Sequence, residues 1–252
     1  MTKLVIRNIF LISFVVFAFS ACEMFQIDNY DGPNATLKGG MIDAVTGDLV
    51  ETTLQNGSTL KLKELGWAEG GILTRVVMES GEYQDKLMFA GRYSVTFSEC
   101  NFYPFVVDEI VVNKGENTRD FQVTPYIRVK NVNIRKEGDQ IVATFKLQAG
   151  NPAVRLNNIR LFFSTDMYVG EPYTRLPLGG LGFLQSFSPT IAIDENTEYR
   201  LTIDLTNAQN KSYMKYQQNY YFRVGALASV SGVGTIRYNY APYTAINLNL
   251  SQ

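Results

Sequence analysis

Apolar and polar residues alternate with a period of two along most of the chain. Leu60 and Leu62 alternate with Lys61 and Lys63, and Tyr93, Val95 and Phe97 alternate with Arg92, Ser94 and Thr96. Phe121 and Val123 follow the same rule. Successive strand side chains point to opposite faces, so each run predicts a strand with one buried side. The pattern continues at Ile127 and Val129, at Val132 and Ile134, and at Ile141, Ala143, Phe145 and Leu147. It returns over residues 159–163, at Tyr199, Leu201, Ile203 and Leu205, at Tyr220, Phe222, Val224 and Ala226, and at Ile246, Leu248 and Leu250. Turn pairs such as Asn56-Gly57, Ser80-Gly81, Lys114-Gly115 and Gly138-Asp139 separate the runs. No segment carries a convincing stripe at helical spacing. Short strands with regular turns bury their faces by packing sheet on sheet. The fold class expected is all-β, with two consecutive antiparallel β-sandwiches over 35–124 and 125–252. Pro125, in Thr124-Pro125-Tyr126, interrupts ladder pairing and marks a stiffened hinge between them.

The first residues follow another pattern. Lys3 and Arg7 precede an apolar run over 9–19, broken only by Ser13, and Ser20-Ala21-Cys22 follows. Positive charge, apolar stretch and small residues in that order make a secretory signal. The run is short for a bilayer span, which takes roughly 20 apolar residues. With cysteine directly after the small pair, the stretch resembles the lipobox of bacterial lipoproteins. That resemblance implies a signal peptide over 1–21 and a lipid on Cys22; an ordinary signal peptide with an incidental cysteine, or an uncleaved anchor, is the alternative. Residues 22–34, with Glu23, Asp28 and an Asp31-Gly32-Pro33 turn, read as a lipidated tether. The two acids loosely resemble the surface-export signals of Bacteroidetes lipoproteins. The expected location is the outer membrane, lipid-anchored and facing the cell surface.

Other motifs add resemblances. The opening strand runs into Asp43-Ala44-Val45-Thr46-Gly47, and Phe89-Ala90-Gly91-Arg92-Tyr93-Ser94-Val95 comes later. Together they resemble the transthyretin or carboxypeptidase-regulatory sandwich. Tyr220-Tyr221-Phe222-Arg223-Val224-Gly225-Ala226 resembles a strand of immunoglobulin-like and fibronectin type III modules. In order and spacing, these pieces, the lipobox, Leu62-Lys63-Glu64-Leu65-Gly66 and the 123–129 junction resemble a Bacteroidetes family of uncharacterised two-domain outer-membrane lipoproteins. Genes of that family lie beside starch-utilisation-type glycan uptake loci. The resemblance implies a glycan-binding accessory of a polysaccharide uptake system, with an outer-membrane transporter complex as partner. It supplies no binding residues.

Composition narrows the chemistry. Hydrophobic residues make up 46% of the chain, enough to build a core. The net charge of -1, with no basic cluster, argues against a nucleic-acid partner. The chain has no histidine, which removes Ser-His-Asp and Cys-His catalysis and histidine-ligated metals. No phosphate loop, dinucleotide fingerprint or nucleophile elbow is present, and Gly179-Gly180-Leu181-Gly182 does not join a clear strand to a helix. Asp108 and Glu109 are adjacent on a strand and point apart, and residues 194–198 read as a solvated turn. No enzyme, cofactor or metal is expected. With Cys22 acylated, Cys100 is left as a single thiol, a small core or edge residue.

What remains is aromatic surface. A sugar ring packs an apolar face on a flat aromatic while neighbouring polar groups hold its hydroxyls. The longest stretch without pattern is 164–189, an unusually long loop for a sandwich. It supplies Tyr168, Tyr173, Phe183 and Phe187, with Arg175 among its polar residues. A second cluster is Tyr213, Tyr216 and Tyr221, and a third is Trp67 with Tyr83. Tyrosines also cap sandwich ends and seal domain junctions. The leading expectation is a non-catalytic surface lipoprotein that binds polysaccharide or oligosaccharide. The alternative is a spacer or adhesin-type lipoprotein without glycan affinity, where an edge strand such as 246–250 would receive a partner strand.

Overall fold

The alternating runs build strands wherever one face finds cover. The structure, a computed structural model, describes residues 31–66, 71–171 and 178–250. The first sandwich holds β1 (Ala35–Asp43), β2 (Thr59–Glu64), β3 (Ile72–Val76), β4 (Glu82–Met88), β5 (Gly91–Phe97), β6 (Phe105–Val112), β7 (Gly115–Thr118) and β8 (Phe121–Val123). One sheet runs β4-β1-β7 with β8 also on β1; the other runs β3-β2-β5-β6. Leu37, Leu60, Leu62, Tyr93, Val95, Phe97 and Phe121 meet between them as one core. Pairing is antiparallel except that β7 and β8 lie parallel to β1. They share one edge of β1, and the chain steps between them at Arg119 and Asp120. Gly39 faces that step: a Cβ there would sit 1.9 Å from the Arg119 carbonyl oxygen, so only glycine fits.

The second sandwich holds β9 (Ile127–Glu137), β10 (Gln140–Ala149), β11 (Arg155–Ser164), β12 (Leu184–Ala192), β13 (Glu198–Asp204), α1 (Ala208–Tyr213), β14 (Gln218–Ser229), β15 (Asn239–Tyr240) and β16 (Thr244–Leu248). Its sheets run β13-β10-β9 and β12-β11-β14-β15, with β16 also on β14. The inward residues of β10, β11, β13 and β14 form the larger core. Two elements depart from expectation. β12 begins inside the stretch read as loop and runs past its end, because a largely exposed edge strand containing Pro189 shows no alternation. The helix α1 is too short for a helical stripe and is held by caps. The Asn207 side chain accepts from the Gln209 and Asn210 amides. Buried Asn210 is bonded to both backbone groups of Gly179 and to the Asp204 carbonyl, which ties down the glycine-rich stretch.

The junction is a buried polar weld rather than a hinge. Arg223, on β14, is 2% exposed. Its Nε donates to the Ala241 carbonyl at 2.7 Å, one Nη to the Thr52 carbonyl at 2.8 Å, and the other Nη to Glu51 Oε2 at 2.5 Å. Its guanidinium also lies 4.5 Å from the centre of the Tyr240 ring. Asn101 spans the same seam, donating to the Glu51 and Tyr238 carbonyls while its own carbonyl accepts from Asn239. Arg128 forms a two-pronged ion pair with buried Asp43. Around Pro125 the backbone is equally fixed: Tyr126 donates to the Asn101 carbonyl and Gly150 to the Tyr126 carbonyl. Both sandwiches thus belong to one compact unit that begins at Asn34.

Burial pushes the Glu51 carboxyl up, and the Arg223 guanidinium offsets only part of that. For Asp43 burial also pulls upward, but the Arg128 bonds and charge and the nearby backbone amides outweigh it, so its pKa falls below 3.8. Removing Arg223 strands the half-buried Glu51 carboxylate and several carbonyls. We expect Arg223→Met to cost about 3–5 kcal/mol, read as a lowered denaturant midpoint with both sandwiches loosened together. A carboxylate with a depressed folded-state pKa lends stability that is complete above its unfolded pKa and is lost as pH falls through the folded value. Stability should therefore decline below about pH 4, and Asp43→Asn should flatten that part of the curve. Glu51 acts in the opposite sense, so the measurement is wild type against Asp43→Asn across pH, not one curve alone.

Candidate functional site

The strand alternation of β14 sends Tyr220 and Phe222 into the core and leaves Tyr221 on the outer face of its sheet. Tyr243, just before β16, meets it edge to face, with ring centres 5.4 Å apart and planes at 76°. Tyr243 keeps 38% of its surface exposed. On one side of this pair, Asn219 and Asn247 face each other across β14 and β16, and Asn247 Nδ2 donates to Asn219 Oδ1 at 3.1 Å. Both asparagines are exposed. On the other side Ser164 stands opposite Tyr221 on β11. The Ser164 hydroxyl accepts from the Asp166 amide, and the Asp166 carboxylate accepts from the Tyr168 amide, so this turn is held by its own side chains. The result is an open aromatic face rimmed by amide, hydroxyl and carboxylate groups. That is the chemistry of sugar stacking.

Further along the same face, Phe162, Tyr238 and Tyr240 form a small cluster roofed by Val169. The roof is anchored on both sides. The Tyr240 hydroxyl accepts from the Glu171 amide at 3.1 Å, and Thr53 of the first sandwich donates to the Glu171 carbonyl at 3.2 Å. A cleft of about 530 Å³ opens between the sandwiches. The Arg128–Asp43 pair lies in its lining, with Asp48, Lys130, Ser80 and Pro242. Of its charged groups, Arg128 and Asp43 are committed to each other and Glu51 to Arg223, while Lys130 donates to Gln148.

The residues expected to touch ligand divide by position. Tyr168 is 41% exposed and Tyr216 62% exposed, so both rings are available. Lys215 Nζ sits 4.7 Å from the centre of the Tyr216 ring, and the Tyr220 hydroxyl pins the Tyr216 backbone. Phe183, Phe187 and Tyr213 are half-buried and pack against the larger core. Tyr83 is 2% exposed in the first core and donates its hydroxyl to the Arg119 carbonyl at 2.6 Å, which takes its ring out of reach of a ligand. Trp67, Tyr173, Arg175 and the lipid-anchor residue Cys22 lie outside the described residues. The reading from sequence missed Tyr243, Asn219 and Asn247. The signal was present in the alternation: Tyr221 and Asn219 fall on the outward positions of β14.

Other candidate chemistry is accounted for structurally. Glu109 pairs with Arg92 on the surface. Asp194 accepts from the Asn196 amide and caps its own turn. Cys100 is 1% exposed, and burial pushes its thiol up to about 12. Among the described residues, no group of three or more histidine, cysteine, aspartate or glutamate side chains could hold a metal, and no helix is long and apolar enough to cross a membrane.

Comparison with known proteins follows the same division at residue 124. Residues 35–124 match the model described as the N-terminal domain of DUF3823, a protein of unknown function, and 127–244 match the domain of unknown function DUF3823_C. Among solved structures, the chain is 46% identical to a candidate carbohydrate-binding protein from Bacteroides uniformis. That match covers 86% of this chain and 100% of that one, with a TM-score of 0.82. A DUF3823 family protein from Bacteroides ovatus is 21% identical over 85% of this chain and 100% of that one, with a TM-score of 0.67. One from Parabacteroides merdae is 20% identical over 86% of this chain and 100% of that one, also at 0.67. A comparison with curated proteins found no match. With both of its halves matched in order, this chain belongs to the DUF3823 family.

Proposed function

We propose that the protein is a non-catalytic carbohydrate-binding lipoprotein of the outer-membrane surface. The observation that carries this reading is the open face around Tyr221 and Tyr243, rimmed by Asn219, Asn247 and Ser164. Exposed Tyr168 and Tyr216 extend the aromatic surface of the second sandwich. The relative from Bacteroides uniformis described as a candidate carbohydrate-binding protein supports the carbohydrate-binding part of this reading. An open pair of aromatic rings with peripheral amides suits the side of a glycan chain better than a small enclosed ligand. Among the described residues, no acid–base pair or activated nucleophile is assembled there, which supports a surface that holds its ligand without cleaving it. Acylation of Cys22 would place the protein on the membrane beside a glycan transporter complex. A rigid spacer is the second reading, and the welded junction favours it because it holds two sandwiches in one fixed relation.

Affinity electrophoresis against a panel of neutral polysaccharides tests the binding. Retardation by at least one glycan is expected, and Tyr221→Ala with Tyr243→Ala should weaken it by about tenfold or more, equivalent to at least ~1.4 kcal/mol. Wild-type mobility unchanged by every glycan, with co-purification of an outer-membrane partner, would favour the spacer. The anchor is tested separately in cells fed a clickable palmitate analogue. The wild type should take up label and partition into detergent, and Cys22→Ser should do neither.

A further inference from the structure

Arginines that are wholly or half-buried in this protein have carboxylate partners, with one exception among the described residues. Arg75 holds Asp85, Arg128 holds Asp43, Arg223 holds Glu51 and Arg237 holds Glu99. Arg160, half-buried on the outer face of β11, has no ion pair or hydrogen-bond acceptor among the described residues, and its Nε is fully out of solvent. Two rings hold it in place. Its guanidinium carbon lies 5.0 Å from the centre of Phe162 and 5.8 Å from that of Phe183. A ring contact of this kind supplies no acceptor oxygen to the N–H bonds of the guanidinium. The cation is therefore fixed in position and short of an acceptor.

The neighbourhood suits an incoming ligand. Across the ladder, Arg160 stands between Gly225 on β14 and Leu184 on edge strand β12, and Leu184 is 43% exposed. One rung away on the same face are Asn158 and the exposed Ser186. A planar guanidinium matches a planar or tetrahedral oxyanion, and the two neighbouring rings lower the local dielectric, which strengthens such a contact. We propose that Arg160 is the anion-recognising group of a subsite for a negatively charged sugar, one bearing a uronate carboxylate or a sulfate ester. This rests on the carbohydrate-binding reading above and adds the class of glycan selected.

The test compares polygalacturonate, a sulfated galactan and a neutral galactan by affinity electrophoresis of the intact protein. Two variants are used. Arg160→Met removes the charge and keeps the stem; Leu184→Asp keeps Arg160 and places a carboxylate on the residue opposite it. The expected result is tighter binding of an anionic glycan than of the neutral one, weakened about tenfold by either variant while neutral binding is unchanged. Retardation by polygalacturonate alone identifies the carboxylate, and by the sulfated galactan alone the sulfate. Thermal unfolding midpoints matching wild type establish that both variants are folded. If both folded variants keep the anionic preference, or if the wild type binds neutral glycan as well as charged, the subsite is overturned and the Tyr221–Tyr243 surface stands. If the wild type binds no glycan of any charge, both are overturned.

Discussion

Arg223 is the contact on which the arrangement of the molecule depends. A guanidinium taken wholly out of water must have its donors met, and here they are met by carbonyls and a carboxylate from four separate segments. Three of those acceptors, on Glu51, Thr52 and Glu79, belong to the first sandwich, while the arginine belongs to the second. The demand of one side chain for acceptors therefore sets the distance and angle between two sheet pairs. Asn101 and Asn239 complete the lattice by exchanging bonds with backbone on both sides. Buried polar networks of this kind favour one arrangement over others, because any displacement leaves several groups unmet at once.

The same face of β11 and β14 serves two purposes along its length. Near the junction it is covered, with Phe162, Tyr238 and Tyr240 packed under Val169. Toward β16 it is open, and Tyr221 and Tyr243 meet solvent. The surface assigned to ligand is thus the uncovered remainder of a sheet face that is otherwise used for assembly.

Much of the fold was legible because burial on one face leaves a mark every second residue. Strands β2, β5, β10, β13 and β14 carry that mark and lie where the alternation places them. Strand β12 carries none, since an edge strand that buries little beyond Phe187 has no continuous buried side to select apolar residues. The parallel pairing of β1 with β7 and β8 was also invisible, because alternation reports which face is buried and not which strand lies alongside. The site was legible only in part. Tyr168 and Tyr216 are open as their setting in loops suggests, yet Tyr83 lies in a core, for a tyrosine pattern alone does not separate a stacking ring from a buried one with a bonded hydroxyl. The weld escaped the sequence altogether: Arg223 and Glu51 are 172 positions apart, and nothing local to either marks the partner.

The buried lattice at residue 101 has a consequence for modularity. Cutting the chain at Thr124 would expose an arginine, two asparagines and a row of unpaired carbonyls on opposite stumps. Neither half can be borrowed as an independent cassette, and a change in one is felt by the other through shared bonds.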